Sequence, residues 1–322
     1  MYSPNELLAL YEQKFSTTNF NENPTNLYDP VKHIMGIKGK RIRPLLLLMS
    51  CDMQGGDIEA GLNPSFAMEV FHNFTLVHDD IMDNADIRRG VPTVHKLFGL
   101  NAGILAGDVM LAYAYKYLTD VSPEFVPALL KVFNKTAIEI FEGQQMDIDF
   151  EKRLDVTEEE YLKMIEFKTS VLMACSLQIG ALLADADEAN QKAVYDFGLY
   201  LGLSFQIKDD YLDTFGESEK VGKKIGGDIL QNKKTYLLIT ALNTAKGKQK
   251  DELLALLENN SGDGKVAGVK RIFEELGVKQ TTEKRIEELY DKAIASLNAI
   301  NINEERKAPM LALARSVHER EF

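Results

Sequence analysis

The 322-residue sequence contains no tryptophan and only two cysteines, Cys51 and Cys175. The two cysteines form no CxxC pair, which excludes a thiolate metal site of that spacing and favours a reducing compartment. Basic residues are also scarce beside acidic ones, 37 against 49, which gives a net charge of −12. Nucleic acid and anionic membrane surfaces are therefore not expected partners.

Long hydrophobic runs are missing near the N-terminus, where the longest is PLLLLM at 44–49. A bilayer span requires roughly 20 apolar residues. The opening stretch MYSPNELLALYEQKF also lacks the charged and apolar segments of a signal peptide. Ser3, Pro4 and Glu6 instead match the N-cap, the first helical position and the capping box of a helix. These patterns predict a cytoplasmic protein without a transmembrane segment.

Helical periodicity dominates the rest of the chain. In residues 66–83 the apolar side chains recur every three or four positions, as on a helix with one buried face. Similar patterns cover 103–119, 124–142, 157–184, 188–213, 233–245, 281–299 and 304–320. Turn-rich segments are predicted at 21–30, 52–64, 214–228 and 259–268. Strand signals are few and no composition shift marks a boundary, so the prediction is one all-α domain over residues 1–322.

Two acidic stretches share one pattern, LVHDDIMD at 76–83 and QIKDDYLD at 206–213. At about 100° per residue, Asp79 and Asp83 lie within roughly 20° of the line of His72 along the helix. Adjacent carboxylates repel one another, and a divalent cation converts that repulsion into coordination. Ligands that are oxygen atoms alone indicate a hard ion such as Mg²⁺, which often shares substrate phosphates.

Cations and glycines accompany both acidic stretches. GKRIRP precedes the first at 39–44, RRG follows it at 88–90, and GKKIGGD follows the second at 222–228. Each basic run alone is typical of a solvated surface. Their joint arrangement with the aspartates indicates phosphate binding.

The ordered set resembles the trans-type isoprenyl diphosphate synthases of the polyprenyl synthetase family. The resemblance also rests on GQQMD at 143–147, FKT at 167–169 and GGDILQNKKTY at 226–236, and it extends over nearly the whole chain. It implies an all-α fold with a central cavity, in which the two aspartate motifs face each other across the mouth. It also implies a homodimer that condenses isopentenyl diphosphate with an allylic diphosphate, with Mg²⁺ as cofactor.

The resemblance assigns roles to individual residues. Metal binding falls to Asp79, Asp80, Asp83, Asp209, Asp210 and Asp213, with Asp209 the favoured direct ligand of the second motif. The allylic diphosphate would contact Arg88, Lys168, Lys223 and Lys233, and isopentenyl diphosphate would contact Lys40, Arg43, His72 and Arg89. Lys168, Thr169 and Gln206 would lie beside the carbocation that forms when the allylic C–O bond ionises. Released diphosphate would then accept the final proton.

Product length is expected to depend on Phe74 and Thr75, which precede Asp79 by five and four positions. By resemblance, an aromatic residue followed by a small one indicates a C20 product, with C15 second. Phe74 could equally be an ordinary core residue.

Other functions stay open from the sequence alone. A longer-chain synthase would differ only in its product, and a noncatalytic partner subunit commonly loses aspartates that are complete here. A class I terpene cyclase does not require the isopentenyl site that GKRIRP, His72 and RRG suggest. A helical scaffold with incidental acidic stripes is the remaining possibility.

Overall fold

The computed structural model describes residues 1–16, 18, 20–216, 226–258 and 262–320. Regular structure in these ranges is almost entirely helical, which confirms the predicted all-α class. The strands found there are Ile87–Arg88 (β1) and Val91–Pro92 (β2), an antiparallel pair with Ile87 opposite Pro92.

The helices of the described residues are numbered in chain order. The first ten are α1 Pro4–Phe15, α2 Thr25–Gly36, α3 Ile42–Gln54, α4 Ile58–Met82, α5 Val94–Phe98, α6 Leu100–Leu118, α7 Val126–Glu151, α8 Glu158–Ile165, α9 Val171–Leu183 and α10 Glu188–Phe215. A π-helical turn, Glu166–Ser170, joins α8 to α9. The remaining helices are α11 Gly227–Leu230, α12 Tyr236–Thr244, α13 Gly247–Glu258, α14 Gly262–Glu275, α15 Val278–Asn298 and α16 Glu304–His318.

Contacts along the chain define two compact units. Unit 1 comprises Met1–Asn134, Cys175–Lys192 and Ile302–Pro309. Unit 2 comprises Lys135–Ala174, Ala193–Asn301 and Met310–Phe322. The first aspartate motif belongs to unit 1 and the second to unit 2. A single domain over residues 1–322 stays a prediction.

Unit 1 is built around α4, which packs against α3 and α6. Residues on several faces of α4, among them Ala67, Val70 and Phe71, are fully buried, because neighbouring helices cover it on more than one side. The predicted capping box of α1 is confirmed: Ser3 Oγ accepts from the Glu6 amide at 3.3 Å, and the Glu6 carboxylate accepts from the Ser3 amide at 2.7 Å.

Unit 2 has a core in which the middle of α10 packs with α8, α12 and α15. Tyr161, Ile207, Ile239 and Leu289 are buried members of this cluster. A second apolar cluster joins α12 to α13 and α14 through Leu237, Leu253 and Phe273, among others. The second aspartate motif therefore begins directly beside a rigid core.

Three of the turn predictions are partly wrong. Residues 25–30 are helical in α2, and residues 58–64 are helical in α4. The residues that suggested turns act as helix starts instead: Pro24 precedes α2, and the Asp57 side chain caps α4 by accepting from the Glu59 amide at 3.0 Å. The segment 259–268 was also predicted as a turn, yet α14 begins at Gly262.

One helical stretch among the described residues, Glu158–Leu183, is long and apolar enough to cross a membrane by composition alone. Within its most apolar window, 67% is buried inside the protein. That burial is typical of a core helix.

Candidate active site

The first aspartate motif occupies the last turn of α4. Asp80 is 2% exposed, whereas Asp79 is half-buried and Asp83 is exposed. Asp83 is the C-cap of the helix, and its amide donates to the Asp79 carbonyl at 2.8 Å. The helix thus presents Asp79 and Asp83 one turn apart and turns Asp80 inward.

Arg88 binds the buried aspartate with a bidentate fork. Its Nε donates to Asp80 Oδ2 and its Nη2 to Asp80 Oδ1, both at 2.8 Å. The turn between β1 and β2 makes this possible, since Arg89 and Gly90 have φ of 50° and 82°, the left-handed conformations of a two-residue hairpin. A paired arginine fork satisfies the Asp80 charge inside the protein.

A basic cluster surrounds His72 on α4. Burial lowers the pKa of His72 well below its usual value, and the charges of Arg43, Arg89, Arg88 and Arg41 lower it further. Burial also lowers the pKa of Arg43 to about 10, with an additional contribution from Arg89 that Glu69 opposes. The Nε of Arg43 is buried and has no hydrogen-bond partner among the described residues. This cluster is a site of concentrated positive charge with a neutral imidazole at its centre.

The other predicted residues of this site, Lys40 and Arg89, lie in the loop before α3 and in the RRG turn. Lys40 is exposed in the loop before α3. Arg89 Nη1 donates to the Lys38 carbonyl at 3.4 Å, which brings the RRG turn against that loop. Burial lowers the pKa of Arg89 as well.

The residues predicted to determine product length lie on α4, before the first aspartate motif. Phe74 is buried, with its ring 5.5 Å from Phe71 and 4.9 Å from His78. Thr75 is half-buried, and its hydroxyl donates to the His72 carbonyl at 2.8 Å. Phe74 therefore has both the bulk and the burial expected of a residue that stops the growing product chain.

In unit 2, Lys168 and Thr169 lie on the π-helical turn. Two glycines on neighbouring helices allow it to be packed closely: a Cβ on Gly143 of α7 would collide with the Lys168 backbone nitrogen, and one on Gly202 of α10 would lie 2.7 Å from Ser170 Cα. The added residue of a π-turn redirects side chains and is frequent at functional sites.

A small pocket of about 60 Å³ opens beside this turn. Its lining includes the predicted residues Lys168, Thr169, Gln206, Asp210 and Lys233, together with Asp147, Tyr161, Met164, Ile165, Lys234 and Thr235. Lys168 Nζ donates to Asp147 Oδ2 at 2.5 Å, and Thr169 Oγ1 donates to Gln206 Oε1 at 3.1 Å. The structure thus brings together five predicted site residues from separate segments of the chain.

The second aspartate motif lies on α10, where Asp210 is 3% exposed. Asp210 accepts from Tyr161 Oη at 2.5 Å, from Gln206 Nε2 at 3.2 Å and from the Tyr236 amide at 3.3 Å. Burial raises the pKa of Asp210 to about 7, which Lys233 opposes. Asp210 is therefore held by neutral donors.

The flanking aspartates are more accessible. The side chain of Asp209 is 43% exposed and forms an ion pair with Arg320. Asp213 is half-buried and accepts from the Asp228 amide at 3.0 Å. Lys233 lies 3.9 Å from Asp228, and the predicted Lys223 falls outside the described residues.

Within the described ranges, no three His, Cys, Asp or Glu side chains converge as a complete metal cage. Mg²⁺ normally takes one or two carboxylates and completes its shell with water and substrate phosphates. The exposed Asp83, the half-buried Asp79 and the accessible Asp209 fit that pattern because they are hard oxygen donors. Each motif by itself therefore offers accessible carboxylate oxygens of the kind that Mg²⁺ binds.

Sequence reasoning assigned no role to several residues that contact the site. These are Arg41 and Glu69 in unit 1, and Asp147, Tyr161 and Arg320 in unit 2. Asp147 ends the GQQMD segment and Arg41 lies within GKRIRP, both already part of the resemblance, so a signal existed for these two residues. The partner of each of the others is distant in the chain.

Comparison with known proteins gives consistent matches. A family model described as Polyprenyl synthetase matches residues 24–276. A geranylgeranyl pyrophosphate synthase from Geoglobus acetivorans is 43% identical over 234 residues, covering 72% of this chain and 73% of that protein. A short chain isoprenyl diphosphate synthase from Methanocaldococcus jannaschii is 43% identical over 236 residues, covering 73% and 72% respectively. A crystal structure of geranylgeranyl pyrophosphate synthase is 42% identical with a TM-score of 0.95 and covers 100% of both chains.

Proposed function

This chain belongs to the polyprenyl synthetase family, and from that premise we propose that it condenses isopentenyl diphosphate with an allylic diphosphate. The enzyme is a trans-prenyltransferase, as the resemblance predicted. The proposed product is a short-chain all-trans prenyl diphosphate, C20 in preference to C15. Mg²⁺ is the proposed cofactor.

The basic cluster around His72 is the observation that carries the proposal. Arg41, Arg43, Arg88 and Arg89 all depress the pKa of one imidazole, while the carboxylates that bind these arginines are Glu69 and Asp80. Such an excess of positive charge is stabilised by a multivalent anion. A diphosphate is the anion that the family would supply.

The chain's own residues suggest how each step proceeds. When bound, Mg²⁺ would neutralise charge on the departing diphosphate and so promote ionisation of the allylic C–O bond. Lys168 and Lys233, beside the unit 2 pocket, would bind that diphosphate. Thr169 and Gln206 line the same pocket, and their oxygen dipoles would stabilise the adjacent carbocation. Arg43 and Arg89 would hold isopentenyl diphosphate for attack.

Turnover tests this proposal directly. Labelled isopentenyl diphosphate is incubated with C5, C10, C15 or C20 allylic primers, with and without Mg²⁺, and the products are sized. We expect metal-dependent incorporation that ends mainly at C20. Absence of turnover with every primer would contradict the enzyme proposal and favour a noncatalytic subunit. Diphosphate release without isopentenyl incorporation would instead identify a cyclase.

The C20 assignment depends on Phe74 as the barrier to the growing chain. Phe74→Ala is expected to lengthen the product, because it removes buried aromatic bulk five residues before Asp79. Phe66→Ala is the matched control, since Phe66 lies on the same helix and is equally buried, 4% exposed. An unchanged product distribution in Phe74→Ala would place the determinant elsewhere.

We further propose that the enzyme is a cytoplasmic homodimer. Several large apolar side chains on α5 and α6 are exposed, including Leu97 at 53%, Leu100 at 53% and Leu105 at 56%. On α7, Ile138 is 58% exposed. Exposed apolar groups of this kind are typical of a protein interface. Sedimentation equilibrium of the wild type and of Leu105→Glu tests whether they support dimerisation.

A further inference from the structure

Glu69 is a deeply buried carboxylate on α4, three residues before His72. Its side chain is 5% exposed. It accepts hydrogen bonds from the Arg41 guanidinium and from Asn73 Nδ2, the latter at 3.1 Å. Asn73 is held in place because its Nδ2 also donates to the Glu69 carbonyl at 2.8 Å. A charge so buried is tolerated only when it is paired and hydrogen-bonded.

Arg41 connects this carboxylate to the segment before α3. Its Nη2 lies 3.3 Å from the Met35 carbonyl and 3.4 Å from the Ile37 carbonyl. Its backbone is left-handed, with φ of 48° and ψ of 38°, at the N-cap of α3. A non-glycine residue in this conformation is strained and persists only where surrounding contacts hold it. The Arg41–Glu69 pair therefore fixes the end of α2 and the start of α3 against α4.

The segment fixed in this way carries the substrate-binding candidates. Gly39 approaches Arg89 so closely that a Cβ there would lie 2.6 Å from Arg89 Nη1. The Lys38 carbonyl accepts from the same Arg89 nitrogen. Arg43 lies in the first turn of α3, two residues after the left-handed Arg41. The positions of Arg43 and Arg89 thus depend on the segment that Arg41 anchors.

Glu69 also balances the charge of these residues. It is the acidic group that favours the protonated forms of both Arg43 and Arg89, against the mutual repulsion of the arginines. Without a buried negative charge, the cluster would repel itself whenever no anionic substrate is bound.

We propose that Glu69 and Arg41 are positioning residues for the isopentenyl diphosphate site, holding Arg43 and Arg89 in place without contacting the substrate. This inference rests on the proposed function. The two arginines of GKRIRP then have different roles. Arg41 is bound by Glu69, whereas Arg43, whose buried Nε has no described partner, is available to the ligand.

Steady-state kinetics of Glu69→Gln test the inference, because glutamine keeps the shape and removes the charge. The KM for isopentenyl diphosphate is expected to rise about tenfold or more, since small displacements of binding groups are costly. The kcat and the KM for the allylic substrate should stay within about twofold. Glu59→Gln is the matched control, since Glu59 lies on the same helix with its side chain 71% exposed.

A double-mutant cycle with Arg41→Gln tests whether the pair acts as one unit. The double variant should lose no more affinity for isopentenyl diphosphate than either single variant. Arg41→Lys keeps the charge but loses the planar fork, and it should show an intermediate rise in that KM. This variant also serves if Glu69→Gln does not fold.

Two results would overturn the inference. Equal rises in both KM values would indicate a general structural role, and losses that multiply in the double variant would show that the residues act independently. The proposed function fails separately, if the wild type does not incorporate isopentenyl diphosphate. In that case, calorimetry with inorganic pyrophosphate decides: equal affinity for wild type and Glu69→Gln would refute the positioning role.

Discussion

The two aspartate motifs have the same residue spacing but different surroundings. Their middle aspartates, Asp80 and Asp210, are both buried, at 2% and 3% exposure. Asp80 is bound by the charged fork of Arg88, whereas Asp210 accepts from three neutral donors. A shared sequence pattern therefore specifies a shared backbone position without specifying the electrostatic environment.

The comparison also separates residues within each motif. The carboxylate of each middle aspartate accepts hydrogen bonds from protein donors, and the aspartates on either side are more accessible. Accessible carboxylates are better suited to bind an ion that arrives with its substrate. The outer residues Asp79, Asp83, Asp209 and Asp213 are accordingly stronger candidates for metal ligands than the buried Asp80 and Asp210.

Removing the charged partner of Asp80 should have the largest effect on stability. Arg88→Leu leaves a buried carboxylate without its counter-charge, and we expect a loss of about 3 kcal/mol in the free energy of unfolding. Arg88→Lys keeps the charge without the bidentate geometry and should lose about 1 kcal/mol. Urea titration of both variants measures the difference. Equal stabilities for wild type and Arg88→Leu would show that Asp80 does not depend on the fork.

The raised pKa of Asp210, about 7, predicts a pH dependence of stability. The folded state binds this proton more tightly than the unfolded chain, in which the pKa is about 4. The stability that the group contributes is therefore complete below about pH 4 and is lost as the pH rises to about 7, by up to about 1.4 kcal/mol per pH unit.

Unfolding titrations in EDTA between about pH 4.5 and 7.5 measure this slope. Asp210→Asn should remove that part of the slope, whereas Asp251→Asn, at an exposed position of α13, should retain it. An unchanged slope in Asp210→Asn would contradict the raised pKa.

Tyr161→Phe should have a smaller effect, because it deletes one of the three donors to Asp210. The loss of a buried hydrogen bond is expected to cost about 1–2 kcal/mol. The hydroxyl lowers the pKa of Asp210, so the pH window of the stability loss should also extend upward. Tyr236→Phe is the control, since Tyr236 reaches Asp210 through its backbone amide. A window that does not move would rule out this role for the hydroxyl.

The smallest effect on stability is expected from Arg320→Ala, which removes the ion pair with Asp209. Ion pairs in which one partner is exposed, as Asp209 is at 43%, contribute at most about 1 kcal/mol. The Arg320 guanidinium nevertheless competes with a metal ion for the Asp209 carboxylate. The Mn²⁺ affinity of Arg320→Ala, measured by electron paramagnetic resonance, should therefore rise up to about fivefold. Arg315→Ala, at an exposed position of α16, should not change it. Lower Mn²⁺ affinity in Arg320→Ala would mean that Arg320 assists the site instead.

Much of the helical structure was predictable, because helical periodicity is a pattern among residues that are close together in the chain. The start of α1 follows from its capping residues, and the start of α10 at Glu188 follows from the apolar spacing close to it. The π-turn at Glu166–Ser170 was not predicted, since the apolar pattern runs through it without a break. It packs closely against Gly143 and Gly202, which are remote from it in the chain.

The sequence by itself determined the all-α class and the placement of both aspartate motifs on helix faces, since both depend on spacing of three or four residues. It determined the family through an ordered set of motifs along the chain. The tertiary structure decided which aspartate of each motif is buried and which cation is already paired. Those choices join residues far apart in the chain, Arg41 to Glu69 across 28 positions and Tyr161 to Asp210 across 49. Only packing brings such partners within hydrogen-bonding distance, and burial then determines how strongly each charge interacts with its partner.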